Sequence, residues 1–151
     1  MKPQLIFLPC AESPIWWLVE IGQLQLGFQA GTGWCICSKG QFISISAQED
    51  MVSMLPLLEL SRSIFYCHLE KVAQAVPDLP GTAFPEMLLI KCAFETSVSD
   101  YWPQKAMDWL DAGANIPEEL QHSLRVLTKQ RWASQRLRHR AMSILRKSAK
   151  K

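Results

Sequence analysis

Gln41-Phe-Ile-Ser-Ile-Ser-Ala-Gln-Glu49 is the stretch of this chain at which a strand pattern gives way to a helical one. Ile43 and Ile45 alternate with serines, which is the period of a half-buried β-strand. Ser46 and Glu49 then stand three residues apart, the spacing of a capping box at the start of a helix. We therefore predict that strands precede this point and that helices follow it.

The segment before Ser46 predicts an antiparallel β-meander, because short apolar runs alternate with glycine-containing breakers. The connections are short enough for hairpins, so neighbouring strands are expected to pair antiparallel. Residues 5–8 would add an edge strand, because Pro3 and Pro9 are tolerated at the ends of such a strand. The predicted meander has about four strands, which span residues 16–21, 24–28, 34–37 and 41–46.

The segment after Ser46 predicts about five α-helices that pack against the meander, which gives an α+β fold. Pro56 is expected to kink or break the first helical stretch, because proline has no amide hydrogen to donate within a helix. A short helix at 47–54 would then precede longer helices at 56–76, 85–95, 97–111, 117–130 and 134–147.

The chain length of 151 residues and an ordinary composition, 48% hydrophobic and 20% charged, predict a single domain with its own core. This domain, residues 1–151, divides by sequence pattern into a β-rich part at 1–46, a helical part at 47–148 and a disordered tail at 149–151.

Charge is distributed unevenly along the chain. The last 27 residues, which begin at Arg125, hold ten of the sixteen Lys and Arg residues and none of the fourteen carboxylates. The preceding residues hold the other six cations against all fourteen carboxylates, so a formal −8 stands against a formal +10. The total of +2 conceals this polarity, which indicates that the protein binds a charged partner.

Residues 134–147 predict an amphipathic helix with one cationic side. At 100° per residue from Arg136, the apolar side chains fall between about 80° and 180°, and they should dock on the rest of the protein. These side chains belong to Leu137, Ala141, Ile144 and Leu145. The cations and a histidine, His139, fall on the other side, which is expected to be solvated. We predict a partner-binding surface made of Arg131, Trp132, Arg136, Arg140, Arg146 and Lys147.

Three roles are open for this surface. It could lie across the acidic part of the same molecule, where surface ion pairs contribute about 0–1 kcal/mol each. It could contact an acidic protein, since opposite charge speeds association and arginine anchors interfaces. It could bind the phosphates of a nucleic acid, with Trp132 as a stacking plane, although the formal −8 of the remaining chain would repel a polyanion. A membrane-surface role is disfavoured because the apolar side of the helix is narrow.

We favour the second role, that of a small cytosolic protein-binding module such as an adaptor, a chaperone-like subunit or a toxin-neutralising protein. The alternative is a nucleic-acid-associated factor that binds phosphates through Arg131, Arg136, Arg140, Arg146 and Lys147. The C-terminal order of a tryptophan-containing helix, a Pro117-Glu-Glu helix and an Arg136-Leu-Arg-His-Arg140 helix resembles that of small bacterial proteins. This resemblance implies a bacterial source and no particular function.

Motifs of known catalytic sites are absent from the sequence, so we expect no enzymatic activity, no cofactor and no metal. The chain lacks G-x-S-x-G, the P-loop motif and G-x-G-x-x-G, and its three histidines are far apart. Cys35 and Cys37 could face one side of a strand, but zinc would need two further ligands at finger-like spacing. Cys67 and His68 are adjacent, which on a helix directs them about 100° apart.

The cysteine count predicts the compartment. Five cysteines are an odd number, and the N-terminal apolar stretch is too short for a secretory signal. We therefore expect reduced thiols in the cytoplasm. No apolar run approaches the roughly 18 residues of a membrane-spanning helix.

Overall fold

Five antiparallel strands are followed by six helical segments in this computed structural model, which describes residues 3–12, 15–29, 31–75 and 83–149. The α+β class predicted from the sequence is confirmed. Internal contacts group the chain into two compact units, Met1–Phe84 and Pro85–Lys151, which are described separately below. The single domain over 1–151 stays a prediction. The predicted tail overlaps the last helix at Ala149, and its other residues lie outside the described ranges.

The first unit contains an antiparallel sheet in which the spatial order of the strands follows the chain order. All four predicted strands are present, and the predicted edge strand is present and longer than expected. Its predicted end at Pro9 is wrong, because an edge strand has one side without a ladder partner, where a missing amide hydrogen is tolerated. The strands are β1 (Gln4–Glu12), β2 (Ile15–Ile21), β3 (Leu24–Gln29), β4 (Gly33–Ser38) and β5 (Gln41–Ser44).

A β-bulge interrupts the pairing of β2 at Leu18. Trp17 pairs with Gly27 and Val19 pairs with Leu26, so Leu18 is an extra residue on its strand. Three consecutive residues of β2 are buried, Trp17, Leu18 and Val19. A regular strand would direct alternate side chains to opposite faces of the sheet. The bulge therefore changes which side chains this strand directs into the core.

The helical part of the first unit consists of a 3₁₀ segment, Gln48–Glu59, and helix α1, Arg62–Ala75. The predicted break at Pro56 is wrong, because the 3₁₀ segment continues through this proline and ends before Leu60. The predicted capping box is also displaced by one residue. Asp50, not Glu49, accepts hydrogen bonds from the backbone amides of Ser46 and Ala47, at 2.9 and 3.0 Å.

Helix α1 packs on the sheet through one buried polar contact and a chain of aromatic rings. Nε2 of His68 donates a hydrogen bond to the carbonyl oxygen of Leu18, at 2.9 Å, since a carbonyl can only accept. The ring of Phe65 meets that of Phe84 at 5.0 Å, and Phe84 meets Trp34 of β4 at 5.2 Å, both edge to face. These contacts join α1 to the strands.

The second unit is entirely helical. Its helices begin and end within a few residues of the predicted positions, and Gly113 adopts the positive φ of 115° expected after a helix end. Ser134 caps the last helix through its hydroxyl, which accepts a hydrogen bond from the amide of Leu137 at 3.0 Å. The helices are α2 (Glu86–Thr96), α3 (Tyr101–Asp111), α4 (Glu118–Leu127) and α5 (Gln135–Ala149).

A substitution at Gly27 tests the packing at the bulge. A Cβ atom here would lie 2.6 Å from the ring of Trp17 and 2.7 Å from the carbonyl oxygen of Trp16. We expect Gly27→Ala to lower the free energy of unfolding by about 1–3 kcal/mol, as overpacking does. Urea unfolding measures the change, and Ser44→Ala on the exposed end of β5 is the control. Equal stability of the two variants would contradict the tight contact.

A second substitution tests the cap of the 3₁₀ segment. The amide of Ser46, and then that of Ala47, hold the pKa of Asp50 below its ordinary value. The stabilisation by the carboxylate should therefore be present above the ordinary pKa and be lost as the pH falls through the lowered folded pKa. We expect Asp50→Ala to lower the free energy of unfolding by about 0.5–1 kcal/mol near neutral pH.

This loss should disappear in strong acid, where the wild-type carboxyl is protonated as well. Glu49→Ala is the matched control from the same turn, and its effect should be smaller at neutral pH. A larger loss of stability for Glu49→Ala than for Asp50→Ala would support the capping box that the sequence predicted.

Candidate functional site

Helix α5 carries the predicted partner-binding cations and docks as the sequence predicts. Leu137, Ala141 and Ile144 are buried, and Leu145 is half-buried. The opposite side of the helix exposes Arg136, His139, Met142 and Arg146, which we call the α5 face. Met142 is 48% exposed and lies at one edge of this face on the helical wheel. An exposed apolar side chain therefore stands beside His139 and Arg146, three residues before it and four residues after it.

Arg140 is bound within the unit. Its Nη1 donates to the carbonyl oxygen and to Oε1 of Gln104, at 3.1 and 2.9 Å. Its Nη2 donates to Asp108 and Asp111 of α3, at 2.6 and 2.9 Å. Although burial lowers the pKa of this guanidinium, the hydrogen bonds and charges of Asp111 and Asp108 outweigh burial and raise it. The guanidinium predicted to contact a partner is thus already occupied.

Arg138 anchors α5 at the edge of its buried side opposite Arg140. Its Nη2 donates to the carbonyl oxygen of Gln130, at 2.6 Å, and so ties α5 to the turn that precedes it. On the helical wheel, Arg138 and Arg140 lie at about 200° and 40°, on either side of the buried stripe between about 80° and 140°. The two arginines therefore fix the rotation of α5 and leave the α5 face outward.

The other predicted cations are exposed but do not form one continuous surface. Within the described ranges, none of Arg131, Arg136, Arg146 and Lys147 lies within ion-pair distance of a carboxylate. Arg136 and Arg146 share the α5 face. Lys147 lines a separate pocket of about 420 Å³ beside Asp111, and Arg131 lies on the turn before α5. Of the five predicted cations, Arg136 and Arg146 are thus exposed on one side of α5, about 15 Å apart along its axis.

Trp132, the predicted aromatic contact, lines a groove between the end of α2, helix α4 and the turn before α5. This part of the groove has a volume of about 390 Å³ and exposes two valines, Val98 at 79% and Val126 at 42%. The hydroxyl of Ser97, on the same wall, is buried and has no hydrogen-bond partner among the described residues. The groove therefore offers an apolar seat with one unsatisfied polar group.

An acidic pocket of about 360 Å³ continues this groove, because both parts are lined by Glu95 and His122. Glu118 and Glu119 stand at its far end, where Arg125 and Lys91 contact them at 3.2 and 3.4 Å. The two carboxylates are mostly exposed, at 79% for Glu118 and 64% for Glu119, so solvent weakens both pairs. We call the two parts together the α2–α4 groove.

The sequence did not reveal the α2–α4 groove. The sequence could have indicated that Val126 is an exposed apolar residue, because it lies outside the buried stripe of α4. This stripe is formed by Leu120, Leu124 and Leu127. The sequence could not have indicated that Glu95 lies near Glu118 and Glu119, since their proximity depends on how α2 packs on α4.

Two pairs of groups with catalytic potential are found among the described residues. Cys67 and His68 line a cavity of about 550 Å³ in the first unit, and no carboxylate is among the lining residues that are described there. Asp108 and Asp111 bind Arg140 instead of forming an acid–base pair. The absence of enzymatic activity stays a prediction.

Within the described ranges, Cys35, Cys37, Cys67 and Cys92 form no disulfide bond. Burial, and then the neighbouring Cys37, raise the pKa of Cys35 to about 11, so this thiol is protonated at neutral pH. In the same ranges, no three His, Cys, Asp or Glu side chains are grouped so that they could hold a metal ion.

No protein-family model, curated protein or solved structure matches this chain. Among the described helices, none has both the length and the apolar character needed to cross a membrane. The functional assignment therefore rests on the geometry of the α5 face and the α2–α4 groove.

A matched pair of arginine substitutions tests the two environments on α5. Arg140→Met leaves Asp108 and Asp111 without their shared cation, so we expect the free energy of unfolding to fall by about 1–2 kcal/mol. Arg136→Met removes an exposed cation and should change it by less than about 0.5 kcal/mol. Urea unfolding compares the two variants. Equal effects would show that Arg140 is not the cation that fastens α5.

Proposed function

We propose that this chain is a protein-binding module whose α5 face contacts an acidic surface on another protein. The observation that carries the proposal is Met142, 48% exposed beside His139 and Arg146 on a side of α5 that also exposes Arg136; the two arginines have no carboxylate partner among the described residues. A single exposed apolar side chain is ordinary on a protein surface. Its position among unpaired arginines is what favours a contact surface.

The chemistry of the α5 face suits an acidic protein. Arginine forms bidentate hydrogen bonds with carboxylates and is enriched among the residues that dominate binding energy. Methionine adapts its shape and supplies apolar contact area at adaptable interfaces. Arg136 and Arg146 would thus orient the partner, and Met142 would be covered by it. Arg140 supports this arrangement by holding α5 in place and is not itself part of the proposed contact.

The same face suits a nucleic acid less well. Phosphates are bound by cations and hydrogen-bond donors, so the exposed methionine of this face contributes nothing to their binding. Only Arg136 and Arg146 of the predicted phosphate-binding residues share this face, while Arg140 is occupied by Asp108 and Asp111. The phosphate-binding alternative therefore becomes an outcome of the test below.

We propose the cytoplasm as the compartment, because Cys35, Cys37, Cys67 and Cys92 form no disulfide bond, as expected under reducing conditions. An adaptor, a chaperone-like subunit or a toxin-neutralising protein would each use the proposed surface as a stoichiometric contact.

Charge reversal on the α5 face tests the proposal without removing the docked side of the helix. We expect Arg136→Glu/Arg146→Glu to weaken binding of the acidic partner by roughly tenfold to a hundredfold, since two favourable charge contacts become repulsive. Partners are retained from an extract of the source cells, purified and titrated by calorimetry. Lys129→Glu, an exposed reversal outside the face, is the matched control and should bind as the wild type does.

The same variants are titrated with random-sequence duplex DNA and with RNA at about 150 mM salt. The proposal expects no binding at micromolar concentration. Micromolar binding that the double reversal abolishes would replace it with the nucleic-acid alternative. Unchanged binding of the acidic partner by the double reversal would remove the α5 face as the contact surface.

A further inference from the structure

We propose that the α2–α4 groove of one copy receives the α5 face of a second copy, so that the protein associates with itself head to tail. The inference rests on the proposed function, because it uses the same face and names one acidic surface that fits it. The groove combines an apolar seat at Val98, Val126 and Trp132 with an acidic end at Glu118 and Glu119.

The apolar parts of the two surfaces match. Met142 is the exposed apolar side chain of the α5 face, and the two valines of the groove are 79% and 42% exposed. Trp132 lines the same pocket, and methionine sulfur makes favourable contacts with aromatic rings. Seating Met142 there would remove apolar area from water on both copies.

The charged parts match as well. Arg136 and Arg146 flank Met142 along α5 at about 9 Å and 6 Å, from the helical rise. The groove presents three carboxylates, Glu95, Glu118 and Glu119, against two cations, Lys91 and Arg125. Glu95 accepts a hydrogen bond from Ser123, and Glu118 and Glu119 stay 79% and 64% exposed within their ion pairs. An arginine beside the seated methionine would therefore meet a net negative wall.

One copy does not fill its own groove, since Met142 and Val98 are both exposed within the single chain. The donating and receiving surfaces consist of different residues, so the contact is heterologous. Such a contact joins one copy to the next and either closes a ring or grows with concentration. The average mass should therefore rise with protein concentration and fall with salt.

Sedimentation velocity on the full chain from about 1 to 300 μM, at about 50 and 500 mM salt, measures this association. The face variant is Arg136→Glu/Arg146→Glu, and the groove variant is Val98→Gln/Val126→Gln, which replaces exposed valines and so keeps the buried core. Each variant alone should self-associate at least roughly tenfold more weakly than the wild type. Val52→Gln, an exposed valine of the first unit, is the matched control and should associate as the wild type does.

Mixing the two variants gives the sharpest outcome. The face variant retains a native groove and the groove variant retains a native face, so the mixture should form a one-to-one dimer that does not grow further. A wild type that stays monomeric across the range overturns the inference, as does association that survives in either variant alone. The proposed function fails separately, if the face variant still binds an acidic partner protein as tightly as the wild type does.

Discussion

The guanidinium of Arg140 is the contact on which the arrangement of the second unit depends. It joins α5 to α3 by four hydrogen bonds, two to Gln104 and one each to Asp108 and Asp111. Two carboxylates three residues apart on one helix repel each other unless a cation lies between them. Arg140 supplies this cation from a helix whose apolar stripe is already buried, so hydrophobic docking and charge neutralisation select the same rotation of α5. The α5 face is what this rotation leaves outside.

The first unit shows a comparable dependence between a strand irregularity and a buried polar group. The bulge at Leu18 takes this residue out of register with β3, and His68 of α1 donates to its carbonyl oxygen. A buried carbonyl without a partner would cost about 1–3 kcal/mol. His68 thus supplies a hydrogen bond to the Leu18 carbonyl oxygen and fixes the position of α1 at the same time. His68, 7% exposed, thus has a structural role.

The near-neutral total charge conceals two surfaces of opposite sign within the second unit. Half of the fourteen carboxylates lie between Glu86 and Glu119, ahead of the cationic C-terminal segment. Asp108 and Asp111 neutralise Arg140, whereas Glu95, Glu118 and Glu119 gather in the α2–α4 groove. The acidic residues therefore divide into those that hold the fold and those that face solvent. The second unit carries both a cationic α5 face and an acidic groove. Because these charges are opposite, we expect the protein to associate with itself.

Local sequence determined the secondary structure and the docked side of α5. Alternating apolar residues and short breakers define the strands. The spacing of Leu137, Ala141 and Ile144 defines an apolar stripe that is buried away from water. The exceptions are the bulge at Leu18, where a distant histidine binds the carbonyl oxygen, and Pro9, which the sheet edge tolerates. The use of the cations was decided only by tertiary structure. Arg136 and Arg140 lie within about 40° on the helical wheel, so sequence periodicity treats them alike. The packing of α3 places two carboxylates beside Arg140 and none beside Arg136, because electrostatic pairing depends on distances between helices that no local pattern encodes.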